Sequence, residues 1–214
     1  MNRRSFCALT LAVAANGFLF GCSRYHETMH YNRDLTTTGA AGPGYPKALV
    51  IYDSWSGNTK AIAETMAVGL KCSAIGINDA VDYTMSDYDL IVVGSPVHAA
   101  MPTGKIDRFL SELEKPRASA VFVTYGAPLF GPIMADTCLD SMEEKLQGSS
   151  LGQFKCHGFH QIFRTYPDHP DKMDRQDAAH FAVGLCERWR CNTHLSTDRR
   201  HLASGGNLFA ERAS

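Results

Sequence analysis

Two hydrophobic periods alternate along this chain between residues 46 and 191. Short, nearly continuous apolar runs occupy residues 48–52, 72–77, 88–96, 119–127 and 154–163. Runs of this kind, with apolar side chains at consecutive positions, mark strands covered on both faces. Between them the apolar residues recur at three- and four-residue intervals. Ile62, Met66 and Leu70 fall four apart, and Ile106, Phe109, Leu110 and Leu113 share one helical face. Further helices are expected over about 130–146 and 175–189. Five strands joined by helical crossovers predict an α/β fold with a doubly wound, five-stranded parallel sheet.

The chain outside that region follows other rules. Residues 1–21 open with Arg3 and Arg4, continue with an apolar run from Phe6 to Phe20, and end in a small residue before Cys22. This is the layout of a signal peptide, and the run falls short of the ~20 residues needed to span a bilayer. Leu19-Phe20-Gly21-Cys22 resembles a bacterial lipobox, and Asn2-Arg3-Arg4-Ser5-Phe6 resembles a twin-arginine export signal. The expectation is an exported lipoprotein lipidated at Cys22 and held at a bacterial membrane, periplasmic or on its outer face. Residues 22–45, small, polar and Gly-rich toward their end, form its tether. The domain proper spans 46–191, and 192–214 lack a clear period and read as a loose tail.

Charge narrows the function. With 21 basic and 22 acidic residues the formal net charge is −1, and no basic stripe is present, so nucleic acid is not an expected partner. Of seven cysteines, Cys7 leaves with the signal and Cys22 is the lipid candidate. Cys72, Cys138, Cys156, Cys186 and Cys191 remain, an odd number, and Cys186 with Cys191 could pair or stay free. No C-x-x-C occurs, which counts against an iron–sulfur cluster or a dithiol redox pair. No metal is expected either. Cys156-His157-x-x-His160 has suggestive spacing, but on a strand His157 and His160 point to opposite faces.

The chemistry concentrates in three loops that follow strands. Ser54-Trp55-Ser56-Gly57-Asn58-Thr59 joins the first strand to a helix. Unpaired amides, the helix dipole and the hydroxyls of Ser54, Ser56 and Thr59 make this an anion site sized for one phosphate. It is neither a Walker A loop nor GxGxxG. Placed after the first strand, it resembles the phosphate loop of the flavodoxins, T/S-x-T/S-G-x-T. Gly94-Ser95-Pro96-Val97-His98-Ala99 resembles the second flavin loop of short flavodoxin-type proteins, and Phe122-Val123-Thr124-Tyr125-Gly126-Ala127-Pro128 their third.

That resemblance, which covers about 145 residues, a usual size for one domain, implies the strand order 2-1-3-4-5 and FMN as cofactor. The phosphate would sit on residues 54–59. The ring would lie between Pro96, Val97, His98 and Ala99 on one side and Tyr125, Gly126 and Ala127 on the other, with Gly126 allowing close approach. His98 stands where the family commonly places an aromatic, and an imidazole can both stack and carry charge. Trp55 and Phe130 are alternative ring neighbours. Ala99 replaces a frequent Gly, so a backbone flip to positive φ costs ~1 kcal/mol more, favouring two-electron chemistry. No side chain need be catalytic, because the flavin carries the reaction. The expected function is an FMN-binding redox protein that serves an unidentified donor and a small acceptor such as a quinone. A flavin-free binding module and an NAD(P)H-dependent quinone reductase are the alternatives.

Overall fold

The computed structural model describes residues 45–147 and 150–205, with side chains placed through 193. The expected signal, the tether up to residue 44, Cys22 and residues 206–214 lie outside the described residues.

Five parallel strands form one sheet in the order β2-β1-β3-β4-β5. They are β1 (Ala48–Tyr52), β2 (Ser73–Gly76), β3 (Leu90–Pro96), β4 (Ser119–Tyr125) and β5 (Ser150–His157). The helices are α1 (Asn58–Leu70), α2 (Gly104–Glu112), α3 (Gly131–Glu144) and α4 (Lys172–Gly205). Two 3₁₀ turns, Ile77–Asp82 and Met85–Asp87, replace a helix in the β2–β3 crossover.

The apolar runs form strands because both of their faces are covered. Val50, Val92, Ala120 and Phe122 pack with Ile62, Met66 and Leu70 of α1 and with Ala178, Ala182 and Leu185 of α4. Leu49, Ile51, Val93, Val121 and Val123 pack on the other side with Ile106 and Leu110 of α2 and Leu139 and Met142 of α3. In the register Tyr52 pairs with Gly94 and Pro96 with Thr124. The C-terminal ends of β1, β3 and β4 are therefore nearly level, and their loops open side by side. The chain reverses its direction of sheet growth between β1 and β3, the position where such sheets bind ligands.

Two elements depart from the sequence expectation. β5 covers Ser150–His157 rather than 154–163. Its apolar run misled because Phe159, Ile162 and Phe163 belong to the segment that follows, and Ile162 and Phe163 are exposed. His160 is consequently off the strand, bridged to Thr165, and the opposite-faces argument for His157 and His160 no longer applies. The last helix starts at Lys172 and continues to Gly205, through much of the stretch expected to be loose. The sequence beyond Cys191 has no apolar period to reveal it, since periodicity reports a buried face rather than helicity itself.

Candidate functional site: four loops at the C-terminal end of the sheet

Loop 1, between β1 and α1, is built around Ser54. Its Oγ accepts hydrogen bonds from the amides of Gly57 (3.1 Å) and Lys60 (3.2 Å). Both acceptor positions of the hydroxyl are thereby used and its proton is left to donate outward. Gly57 makes the turn at φ 88°, a left-handed conformation that glycine adopts without steric cost. No described hydrogen bond engages the amides of Ser56, Asn58 or Thr59, and the first turn of α1 carries no acidic residue. These are unsatisfied donors at the positive end of a helix dipole. Donors arranged in this way can receive an anion.

The side chain of Thr59 departs from the sequence expectation. It is 1% exposed, and its Oγ1 pairs with Oγ1 of Thr124 on β4 at 2.9 Å. Thr59 therefore offers the ligand its amide, while its hydroxyl ties α1 to the sheet. Asn58 also turns inward, with Nδ2 donating to the carbonyl of Phe159 at 2.9 Å.

Loop 2 leaves β3 as a tight hairpin. His98 and Met101 exchange backbone hydrogen bonds of 2.9 and 3.0 Å across Ala99 and Ala100. Both alanines lie at positive φ, 49° and 66°, the signature of a type I′ turn. The conformation that Ala99 was expected to disfavour is therefore already occupied, with hydrogen bonds on either side holding it. His98 is exposed and meets the ring of Trp55 edge-on, with centroids 5.2 Å apart. Trp55 itself is 66% exposed. The expected ring neighbours are thus brought together, and a planar ligand between them requires Trp55 to swing aside.

Loop 3 is engaged differently from the sequence expectation. The carbonyl of Tyr125 accepts from the amide of Gly158 (2.9 Å), and that of Gly126 accepts from Thr165 Oγ1 (2.6 Å). A Cβ on Gly126 would lie 2.6 Å from Cβ of His160 and 2.7 Å from the carbonyl of Gly158. The absence of a side chain at Gly126 is thus required for packing against the segment after β5. The Tyr125 ring is buried against His157. Ala127 stays at the half-buried edge of the loop, with Phe130 exposed three residues on.

Residues 158–171 are the part of the site that the sequence reading missed. This fourth loop reaches loop 1 through Asn58 and loop 3 through Gly126. Its own shape is fixed by Phe159–His169 and His160–Thr165 backbone bonds, with Arg164 and Tyr166 at positive φ. The rings of Tyr125, His157, Tyr166 and His169 form a chain of contacts 4.3 to 5.6 Å apart. Burial first, and then the neighbouring His169, hold the His157 imidazole below its ordinary range. His160 and His169, close after His157 in the chain, were the available signal.

Comparison with known proteins agrees with this geometry. The family described as flavodoxin domain (Flavodoxin_3) matches residues 49–166. An uncharacterized protein of Methanocaldococcus jannaschii is 31% identical over 147 residues, which are 65% of this chain and 97% of that protein. A flavodoxin from the domain Archaea superposes with a TM-score of 0.51 at 22% identity, covering 66% of this chain and 97% of its own. A flavodoxin, the WrbA-like protein of Agrobacterium tumefaciens, gives 0.51 at 15% identity over 67% and 96%.

Proposed function

This chain belongs to the flavodoxin family, and on that premise we propose that it is a redox protein holding FMN at loops 1 to 3. The observation that carries the proposal is the set of free amides on Ser56, Asn58 and Thr59, with the Ser54 hydroxyl beside them at the start of α1. These donors would bind the phosphate and orient the cofactor. Loop 2 would line the ring on one side through His98 and its two left-handed alanines, and Trp55 would cover it. FMN bound there supplies one- or two-electron transfer. The protein residues contribute binding, orientation and restricted access of water.

Exposed Trp55, Met101, Leu129, Phe130, Ile162 and Phe163 all belong to the four loops. This apolar rim supports a small apolar acceptor such as a quinone. The N-terminal pattern supports export and attachment to a membrane through Cys22. Among the described residues no helix is long and apolar enough to cross one. Tyr45 leads into β1 at the end of the sheet opposite the loops.

The phosphate assignment is tested by titrating the flavin-free full chain with FMN and with riboflavin. FMN should bind at least ~100-fold more tightly, because several hydrogen bonds to a charged group contribute about 1.5–3 kcal/mol each. Equal affinities would place the phosphate elsewhere.

A further inference from the structure

The fourth loop carries a side-chain cluster that the flavin reading does not use. His157 is the last residue of β5, His169 stands just before α4, and Asp174 lies in the first turn of that helix. One ligating atom from each lies within 4.8 Å of those of the other two, and all three side chains are half-buried. Three separate backbone features converge on this point: a strand end, a loop end and a helix start.

Each member is held by groups outside the cluster. His157 is flanked by the rings of Tyr125 at 4.7 Å and Tyr166 at 4.3 Å. The backbone of His169 is pinned on both sides, its amide donating to Tyr166 and its carbonyl accepting from Phe159. Asp174 exchanges hydrogen bonds with Asp171, each amide donating to the other's carboxylate at 2.9 Å. That exchange is a capping box, and it accounts for Asp174 at the helix start. It does not account for two imidazoles 5.3 Å apart converging on the same carboxylate. The Oδ2 of Asp174 meets Nδ1 of His169 at 2.5 Å, while no described hydrogen bond reaches its Oδ1.

We propose that His157, His169 and Asp174 bind a divalent first-row transition ion. Two imidazoles and one carboxylate are the donor set of zinc sites that keep a position open and of facial non-haem iron(II) sites. The ion takes one lone pair from each imidazole and one from the carboxylate. Binding at Nδ1 of His169 requires any proton there to leave for solvent, with Nε2 carrying the N–H of the neutral ring, and water fills the remaining positions. Bonds of about 2.0–2.2 Å separate neighbouring donors by roughly 3 Å, so loading spreads the His169–Asp174 pair slightly. The ion would fasten β5, the fourth loop and α4 together, one ring contact away from loop 3 through Tyr125. The site is independent of the phosphate loop and stands or falls separately from the flavin.

The test uses the full chain without an affinity tag, stripped with chelator, and zinc chloride as the probe. Calorimetric titration and metal analysis after gel filtration should give one zinc per chain at micromolar or tighter affinity. His157→Gln and His169→Gln should each weaken binding at least about tenfold, as should Asp174→Asn, which preserves a capping side chain. His180→Gln, on α4 but outside the cluster, should leave it unchanged. Circular dichroism checks the fold of each variant, and His169→Gln, in a loop, decides the matter if His157→Gln unfolds. The proposal is overturned if the wild-type chain takes up no zinc, or if zinc binds equally well with both histidines replaced.

Discussion

Thr59 Oγ1 and Thr124 Oγ1 lie 2.9 Å apart in the interior, joining the first turn of α1 to β4 across the sheet. This bond sets the height of the phosphate loop relative to the strands, because the amide of Thr59 is one of its free donors. Thr59→Val removes one hydroxyl and leaves the other buried without its partner. The expected loss is about 1–3 kcal/mol of unfolding free energy, with weaker FMN binding alongside. The double variant Thr59→Val/Thr124→Val should lose less than the sum of the two single changes. Denaturant titration of all three proteins measures the coupling, and strict additivity would show that the hydroxyls do not interact.

Loop 2 holds two alanines where a type I′ turn favours Asn-Gly. Strain of this kind clusters at functional sites, where the surroundings over-determine the backbone. Ala100→Gly should raise stability by roughly 0.5–1 kcal/mol, because relief of the left-handed strain exceeds the added entropy of the unfolded chain. Thermal unfolding with and without FMN reads this directly. A destabilised variant would mean that Ala100 does not keep its positive φ in solution.

The cysteines define a pH window. Burial pushes the thiols of Cys72 and Cys138 up to about 12, and in Cys72 the neighbouring Cys186 adds to the effect. Cys156 is also raised, mainly by burial. A folded-state pKa above the ordinary 9.0 means that the folded chain holds these protons more tightly than the unfolded one. Their contribution is therefore complete below about pH 9 and is lost as pH rises toward 12. Among the described cysteines, maleimide at pH 7 should label Cys191, which is exposed, and spare Cys72, Cys138, Cys156 and Cys186 until the chain unfolds. Peptide mapping by mass identifies the labelled positions, and rapid labelling of Cys138 in the folded protein would contradict its burial.

Much of this architecture was legible because burial on both faces writes itself into consecutive apolar residues. Val50, Val92 and Val121 each sit in such a run and each sit in the sheet. Loop 1 was legible for a related reason: a helix start needs donors satisfied, and residues 54–59, small and polar apart from Trp55, stand just before the helical period that begins at Ile62. What the sequence concealed depends on contacts between distant residues. The apolar residues after Gly158 continue the hydrophobic run of β5 without continuing its pairing. Gly126 was read only as a concession to a cofactor, and its crowding by His160, thirty-four positions downstream, had no local sign. His157 finds its partners across a loop, at His169 and Asp174, rather than at the nearer His160. No local spacing encodes that choice.

The central claim is that loop 1 holds the phosphate of FMN. The most direct measurement is the absorbance spectrum of the full chain purified after cytoplasmic expression, with mass identification of the released compound, for the wild type and Ser54→Ala. The account predicts a yellow protein with one FMN per chain, and a variant whose FMN affinity falls about tenfold or more, because Ser54 both orders the loop and donates to a charged group. A colourless wild-type protein that also refuses added FMN would contradict it.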